Sequence, residues 1–304
     1  MYVIHEGAAP HRLDPKMMGE FRKHLILEEK SQATIEKYQR DIGHFFRFCT
    51  DGTFGKEDVI QYKQWLLSRY AVRSAASMLA ALNRFLSFAG AEECRVKLPR
   101  AQQQLFSDEQ KELSLTEYRK LLETARAKGE SRLYLVLQTI CATGIRVGEL
   151  RSITLEAVQS GRAVVRNKGK TRVVLLPGSL CESLHRYAEE QDIHTGVVFV
   201  TRSGRPLDRS NIWTSMRRLC REAGIAEGKG FPHNLRHLFA RSFYEQEKDI
   251  THLADILGHT SINTTRLYVA SSGARHRAQL ETLRLTESYR PEKQHNIKLC
   301  CFVI

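Results

Sequence analysis

The chain has 304 residues, with 47 Lys and Arg against 34 Asp and Glu, a net charge of +13 and a pI near 9.5. That length has room for two domains, each with its own core, and the charge excess favours a polyanionic partner that is bound by releasing counterions. Seven scattered cysteines without a Cys-x-x-Cys pair read as reduced thiols, and the lack of a signal-like start or an apolar run near 18 residues excludes a membrane span and predicts a cytoplasmic protein.

Residues 14–90 read as a helical bundle. Phe21, Leu25 and Ile26 recur at helical spacing up to a break at Lys30-Ser31, and Ser31 is placed to cap a helix carrying Ile35, Tyr38, Ile42, Phe45, Phe46 and Phe48. Asp51-Gly52 and Gly55 punctuate. Two further helices are expected through Val59, Tyr62, Trp65 and Leu66, then through Met78, Leu82, Phe85 and Phe88 to Gly90. Residues 91–113 lose the periodicity, and Pro99 prevents any continuing helix, so a linker is expected, with Arg95, Lys97 and Arg100 available to phosphates. Residues 1–100 hold 16 basic and 12 acidic residues and residues 101–304 hold 31 and 22, so both halves are positive.

A second domain is expected over residues 114–290. Thr116 is a possible cap for a helix through Tyr118, Leu121 and Leu122, and an apolar helix from Leu133 to Ile140 should stop at Gly144. Ala163–Arg166 and Thr171–Leu176 flank the polar turn Asn167-Lys168-Gly169-Lys170 and predict a β-hairpin. A short strand is expected at Val197–Val200, a turn at Ser203-Gly204-Arg205-Pro206, and helix from there to about Tyr289. Residues 291–304 form a tail. Its end, Cys301-Phe302-Val303-Ile304, formally fits a prenylation box, but Ile is unusual at its last position and no polybasic run precedes it, which favours a docking tail. The fold class is therefore mainly α with a small antiparallel β-sheet: an N-terminal helical bundle followed by an α+β domain.

Chemistry-bearing residues concentrate in that second domain. Arg146 and Glu149 stand three apart after Gly144, and a guanidinium matches phosphate oxygens with a planar donor fork. His233 and Arg236 follow Pro232, which suits a first helical turn, where the dipole and free N–H groups favour an anion. His237 lies four after His233 and could share a metal with it, but no third ligand and no metalloprotease glutamate accompany the pair. Gly258 fits the end of a helix over Ile250–Leu257; His259 then lies in the turn and Tyr268 on the next helix. Two arginines and two histidines around a phosphodiester would stabilise the extra charge of a pentavalent state. A phenol, with a reference pKa of about 10, serves both as nucleophile and as leaving group. An acid for the departing sugar oxygen is still needed, and Lys168 in the hairpin turn is the candidate, with Lys170 competing.

Three stretches, Thr143-Gly144-Ile145-Arg146-Val147-Gly148-Glu149-Leu150, His233-Asn234-Leu235-Arg236 and Leu257-Gly258-His259 followed nine residues later by Tyr268, resemble the active site of the tyrosine recombinase (integrase) family. Asn167-Lys168-Gly169-Lys170-Thr171-Arg172 resembles the family's lysine hairpin, one residue shorter and with Asn for its first glycine. The resemblance implies a core-binding domain over 14–90 and a catalytic domain over 114–290, closing as a clamp on DNA. It makes Arg146, Lys168, His233, Arg236 and His259 the catalytic basic residues, Tyr268 the nucleophile and Glu149 a support for Arg146. It further implies a 3′-phosphotyrosine intermediate, strand exchange through a Holliday junction, and a homotetramer on double-stranded DNA with short inverted repeats. No cofactor or metal is expected. The few residues before the bundle are too short for an arm-site domain, which points to Xer-like members or mobile-element integrases. Two other readings stay open: type IB topoisomerase-like relaxation, and a DNA-binding protein without catalysis.

Overall fold

The computed structural model describes residues 10–100, 110–167, 169–269 and 281–283. The chain divides into two compact units, Met1–Gln103 and Gln104–Ile304.

In the first unit, helices α1 (Lys16–Leu27), α2 (Gln32–Phe48), α3 (Lys56–Arg69) and α4 (Val72–Phe88) follow the apolar periodicity. Ser31 caps α2, its hydroxyl accepting the Thr34 N–H. Phe21, Phe45, Tyr62 and Phe85 are fully buried among aliphatic residues, and Phe21 meets Phe85 edge to face with centroids 5.4 Å apart. A small pairing of β1 (His11–Arg12) with β2 (Thr53–Phe54) was not legible in the sequence, since two residues carry no alternation. The packed unit also runs past 90. Ala91, Cys94 and Val96 are buried in its core, and Asn83 pairs with both backbone groups of Val96, at 2.8 and 3.0 Å. A side-chain clamp of this kind holds the segment without helical periodicity.

The second unit comprises α5 (Leu115–Ala127), α6 (Ser131–Thr143), α7 (Leu155–Ser160), strands β3 (Arg162–Asn167) and β4 (Lys170–Leu175), α8 (Gly178–Glu190), α9 (Arg209–Glu222), α10 (Pro232–Glu247), α11 (Ile250–Leu257) and α12 (Ile262–Val269). The cap of α5 is Ser114 and not Thr116: Ser114 accepts the Glu117 N–H while Glu117 reaches back to the Ser114 N–H, a reciprocal pair that satisfies two otherwise orphaned donors. The hairpin is antiparallel and tighter than expected, because pairing continues to Asn167–Lys170 with Gly169 at φ +75°. Val197–Val200 is not a strand but two isolated bridges, Thr154–Val197 and Val200–Pro206, since neither edge finds a continuous partner. α6 is buried along most of its length and α10 packs against it, so α10 crosses the centre of this unit. Of the helical stretch expected to about Tyr289, α9 to α12 are seen, while residues 270–280 and those from 284 on, including the tail 291–304, lie outside the described residues. Among the described residues no helix is long and apolar enough to cross a membrane.

Candidate active site

α6 ends at Gly144 with φ +63°, and the Phe239 ring of α10 occupies the space a side chain would need. The chain turns there, and Arg146 becomes the N-cap of a 3-10 turn over Val147–Ser152. Glu149 closes that turn, accepting the Arg146 N–H at 2.8 Å and the Arg146 guanidinium at 3.1 Å. Arg172, two residues into β4, adds a bidentate pair at 3.0 and 2.9 Å. Glu149 is only 4% exposed, so one buried carboxylate holds two guanidiniums. Arg172 was not singled out from the sequence; its partner lies 23 residues away, across the hairpin.

Pro232 opens α10, whose first turns carry His233, Arg236 and His237. Arg236 is 1% exposed and ties three segments together. It donates to the Gly144 carbonyl at the end of α6, to the Leu257 carbonyl at the end of α11 (2.7 Å) and to His259 Nε2 (2.9 Å). Burial, with Arg146 nearby, pulls its pKa down to about 10, which leaves it charged at neutral pH. An arginine can only donate, so His259 Nε2 is unprotonated and Nδ1–H donates to Thr265 Oγ1 at 2.8 Å. Burial, helped by Arg236 and Arg146, brings the His259 pKa to about 4. His259 is thus neutral in the free protein, in a tautomer assigned by its partners.

Gly258 ends α11 at φ +64°, and a Cβ there would sit 2.6 Å from Arg172 Cδ. The turn that delivers His259 therefore also makes room for the second guanidinium on Glu149. α12 then presents Tyr268, 7% exposed, with its hydroxyl 3.3 Å from His233 Nε2. Desolvation first, then Arg236 and Arg146, lower the His233 pKa, which favours a neutral imidazole beside the phenol. The Arg236 guanidinium carbon lies 5.8 Å from the Tyr268 ring centroid and the His259 ring 5.1 Å.

Arg146, His233, Arg236, His259 and Tyr268 therefore converge. Lys168 lies outside the described residues, as does the side chain of Lys170. His237 is not turned to a shared metal with His233. Its ring lies flat on Tyr268, centroids 4.2 Å apart at 16°, with His233 edge-on at 4.6 Å, and no third metal-type side chain joins them among the described residues. Burial brings its pKa to about 4. The sequence offered no signal for this stack, because Tyr268 comes from a helix 31 residues on.

Residues 111–275 match the phage integrase family, and residues 18–93 match the phage integrase N-terminal SAM-like domain. The chain belongs to the phage integrase family. Its similarity to other members runs nearly end to end: 28% identity over 91% of this chain and 96% of tyrosine recombinase XerA from Pyrococcus furiosus, and 26% over 83% and 93% for XerD from Listeria monocytogenes. A crystal structure of XerA recombinase is 27% identical, covering 90% of this chain and 99% of that one, with a TM-score of 0.50. Two more distant structures share the integrase fold. XerH bound to palindromic difH substrate has a TM-score of 0.68 at 19% identity, covering 88% of this chain and 84% of its own. A lambda integrase dimer bound to a core site has a TM-score of 0.67 at 18% identity, covering 84% and 76%.

Proposed function

We propose that this integrase-family member is a site-specific DNA recombinase that cuts and rejoins strands through Tyr268. One observation carries the reading: the buried Tyr268 hydroxyl lies on His233 within the chain's own cluster of Arg146, Arg236 and His259. Among the described residues Glu149 is the carboxylate paired with Arg146, and it is shared with Arg172, so the cluster keeps a positive excess for an anion.

In this reading the scissile phosphate binds between Arg146 and Arg236, and His259 Nε2, once protonated, adds a third donor. The Tyr268 oxygen attacks phosphorus, and its proton passes to the neutral His233. The bond from phosphorus to the 5′-oxygen breaks, Lys168 protonates that oxygen, and a 3′-phosphotyrosine is left. The ester keeps the energy of the broken bond, so a 5′-hydroxyl from another strand can reverse the step without water or nucleotide. Fixed guanidiniums aimed at the developing charge are worth roughly a hundred- to a thousandfold each. The substrate is double-stranded DNA with short inverted repeats, bound by a homotetramer. A lambda integrase structure is a tetramer on a Holliday junction, and the +13 charge of this chain suits such a polyanion. Movement of a mobile element, by integration or excision, is the event the reading favours.

The test uses a duplex enriched by the protein from a random-sequence library, with two copies placed on one supercoiled plasmid in EDTA. Exchange of the flanking segments is expected from the wild type and none from Tyr268→Phe. Relaxation without exchange would make it a topoisomerase, and binding without either would make it a DNA-binding protein.

A further inference from the structure

The candidate catalytic residues Arg146, His233 and Arg236 line a cavity of about 770 Å³, and the steps above leave its Arg209, Trp213 and Phe231 unused. Its size falls in the range of small-ligand pockets, roughly 300–1,000 Å³. It is lined by Arg146, His233 and Arg236, by Ile145, Val147 and Pro232, and by the aromatic side chains of Trp213 and Phe231. Trp213 is 45% exposed, a large apolar side chain left to solvent beside a cationic centre. Arg217 lies over one face of its indole, 5.2 Å from the ring centroid. Arg209, one turn earlier on α9, stands at the same cavity and is close enough to His233 to lower its pKa. Among the described residues it has no carboxylate partner, so its charge is free for a phosphate.

Aromatic, aliphatic and cationic side chains around one cavity match a nucleotide, with the base on an aromatic ring and the phosphate on the cations. In-line displacement sets the attacking and leaving oxygens on opposite sides of phosphorus. Tyr268 does not line the cavity, whereas Arg146 and Arg236, which would hold the phosphate between them, do. The cavity therefore lies on the leaving side. Resting on the recombinase reading, we infer that it holds the nucleotide bearing the 5′-hydroxyl, its base stacked on Trp213. Holding that nucleotide keeps the 5′-oxygen near the phosphotyrosine until the strands are exchanged, and gives the incoming strand its docking point.

Religation separates this inference from the reading beneath it. The covalent adduct is prepared from full-length protein and a nicked suicide duplex of the library-selected sequence. A 5′-hydroxyl oligonucleotide that pairs with the overhang is then titrated in, and the rate of release is followed. Trp213→Ala should raise the oligonucleotide concentration for half-maximal rate about tenfold, in line with one base–aromatic stack, while the plateau rate stays within a few-fold. Trp213→Phe, which keeps an aromatic face, should stay near the wild type. An oligonucleotide lacking only its 5′-terminal base should cost the wild-type adduct the same factor and the Trp213→Ala adduct nothing further. Losses that multiply, or a normal half-maximal concentration for Trp213→Ala, overturn the cavity assignment and leave the recombinase reading intact. Failure of the wild type to form any adduct overturns both.

Discussion

Glu149 accepts the Arg146 N–H, the Arg146 side chain and both arms of Arg172, so the position of two cations depends on one buried carboxylate. Removing one member of such a group leaves the others charged and unpaired, at a cost of about 3–5 kcal/mol. Glu149→Ala should lower thermal stability by that amount and reduce cleavage as well. A melting temperature within a degree of the wild type would mean that solvent already screens the pair. Half of this arrangement was readable, because Arg146 and Glu149 stand three apart after a helix-ending glycine. The other half was not: Arg172 reaches the carboxylate across a hairpin, and His237, read as a possible metal ligand, proved to lie against the tyrosine. Spacing along one helix shows which side chains share a face, and it does not show what the next helix brings to that face.

At the level of elements, the ends of helices deliver the site. Gly144, Pro232 and Gly258 all mark termini that the sequence revealed, since each has a backbone property no other residue supplies. Ser114 was passed over for Thr116 because the reciprocal Glu117 bond, and not the hydroxyl alone, selects the cap. Val197–Val200 looked like a strand from its β-branched residues, but propensity without a partner edge yields only bridges. Gly258→Ala tests the design of the last turn. The left-handed backbone costs a side chain about 1–2 kcal/mol, and the new methyl group would press on Arg172 Cδ at 2.6 Å. The variant should melt lower and lose more in cleavage than in DNA binding. Equal losses in both would mean that the turn serves only folding.

For the molecule as a whole, the mainly helical class was legible from periodicity, while the Asn83 clamp on Val96, which holds a segment without helical spacing, was not. Three histidines of the second unit, His233, His237 and His259, have pKa values lowered from 6.5, to about 4 for His237 and His259. The unfolded chain therefore binds more protons than the folded one between about pH 6.5 and pH 4, and stability rises with pH across that window. The full contribution is present above pH 6.5 and is lost on acidification. Melting temperature should fall steadily over this range, and His237→Phe, which keeps the flat ring without the titrating nitrogen, should lessen the slope. An unchanged slope would show that His237 is protonated while folded.

The central claim is that a phenol on α12 makes the bond to DNA, and the most direct measurement is the mass of the peptide that carries it. Wild-type protein is incubated in EDTA with the nicked suicide duplex, digested with protease and nuclease, and sequenced by fragmentation. A nucleotide attached to Tyr268 is expected, with no adduct from Tyr268→Phe, whose DNA affinity stays within a few-fold because one hydroxyl contributes little to a phosphate-dominated interface. A nucleotide on any other side chain, or cleavage that persists in Tyr268→Phe, would contradict the claim.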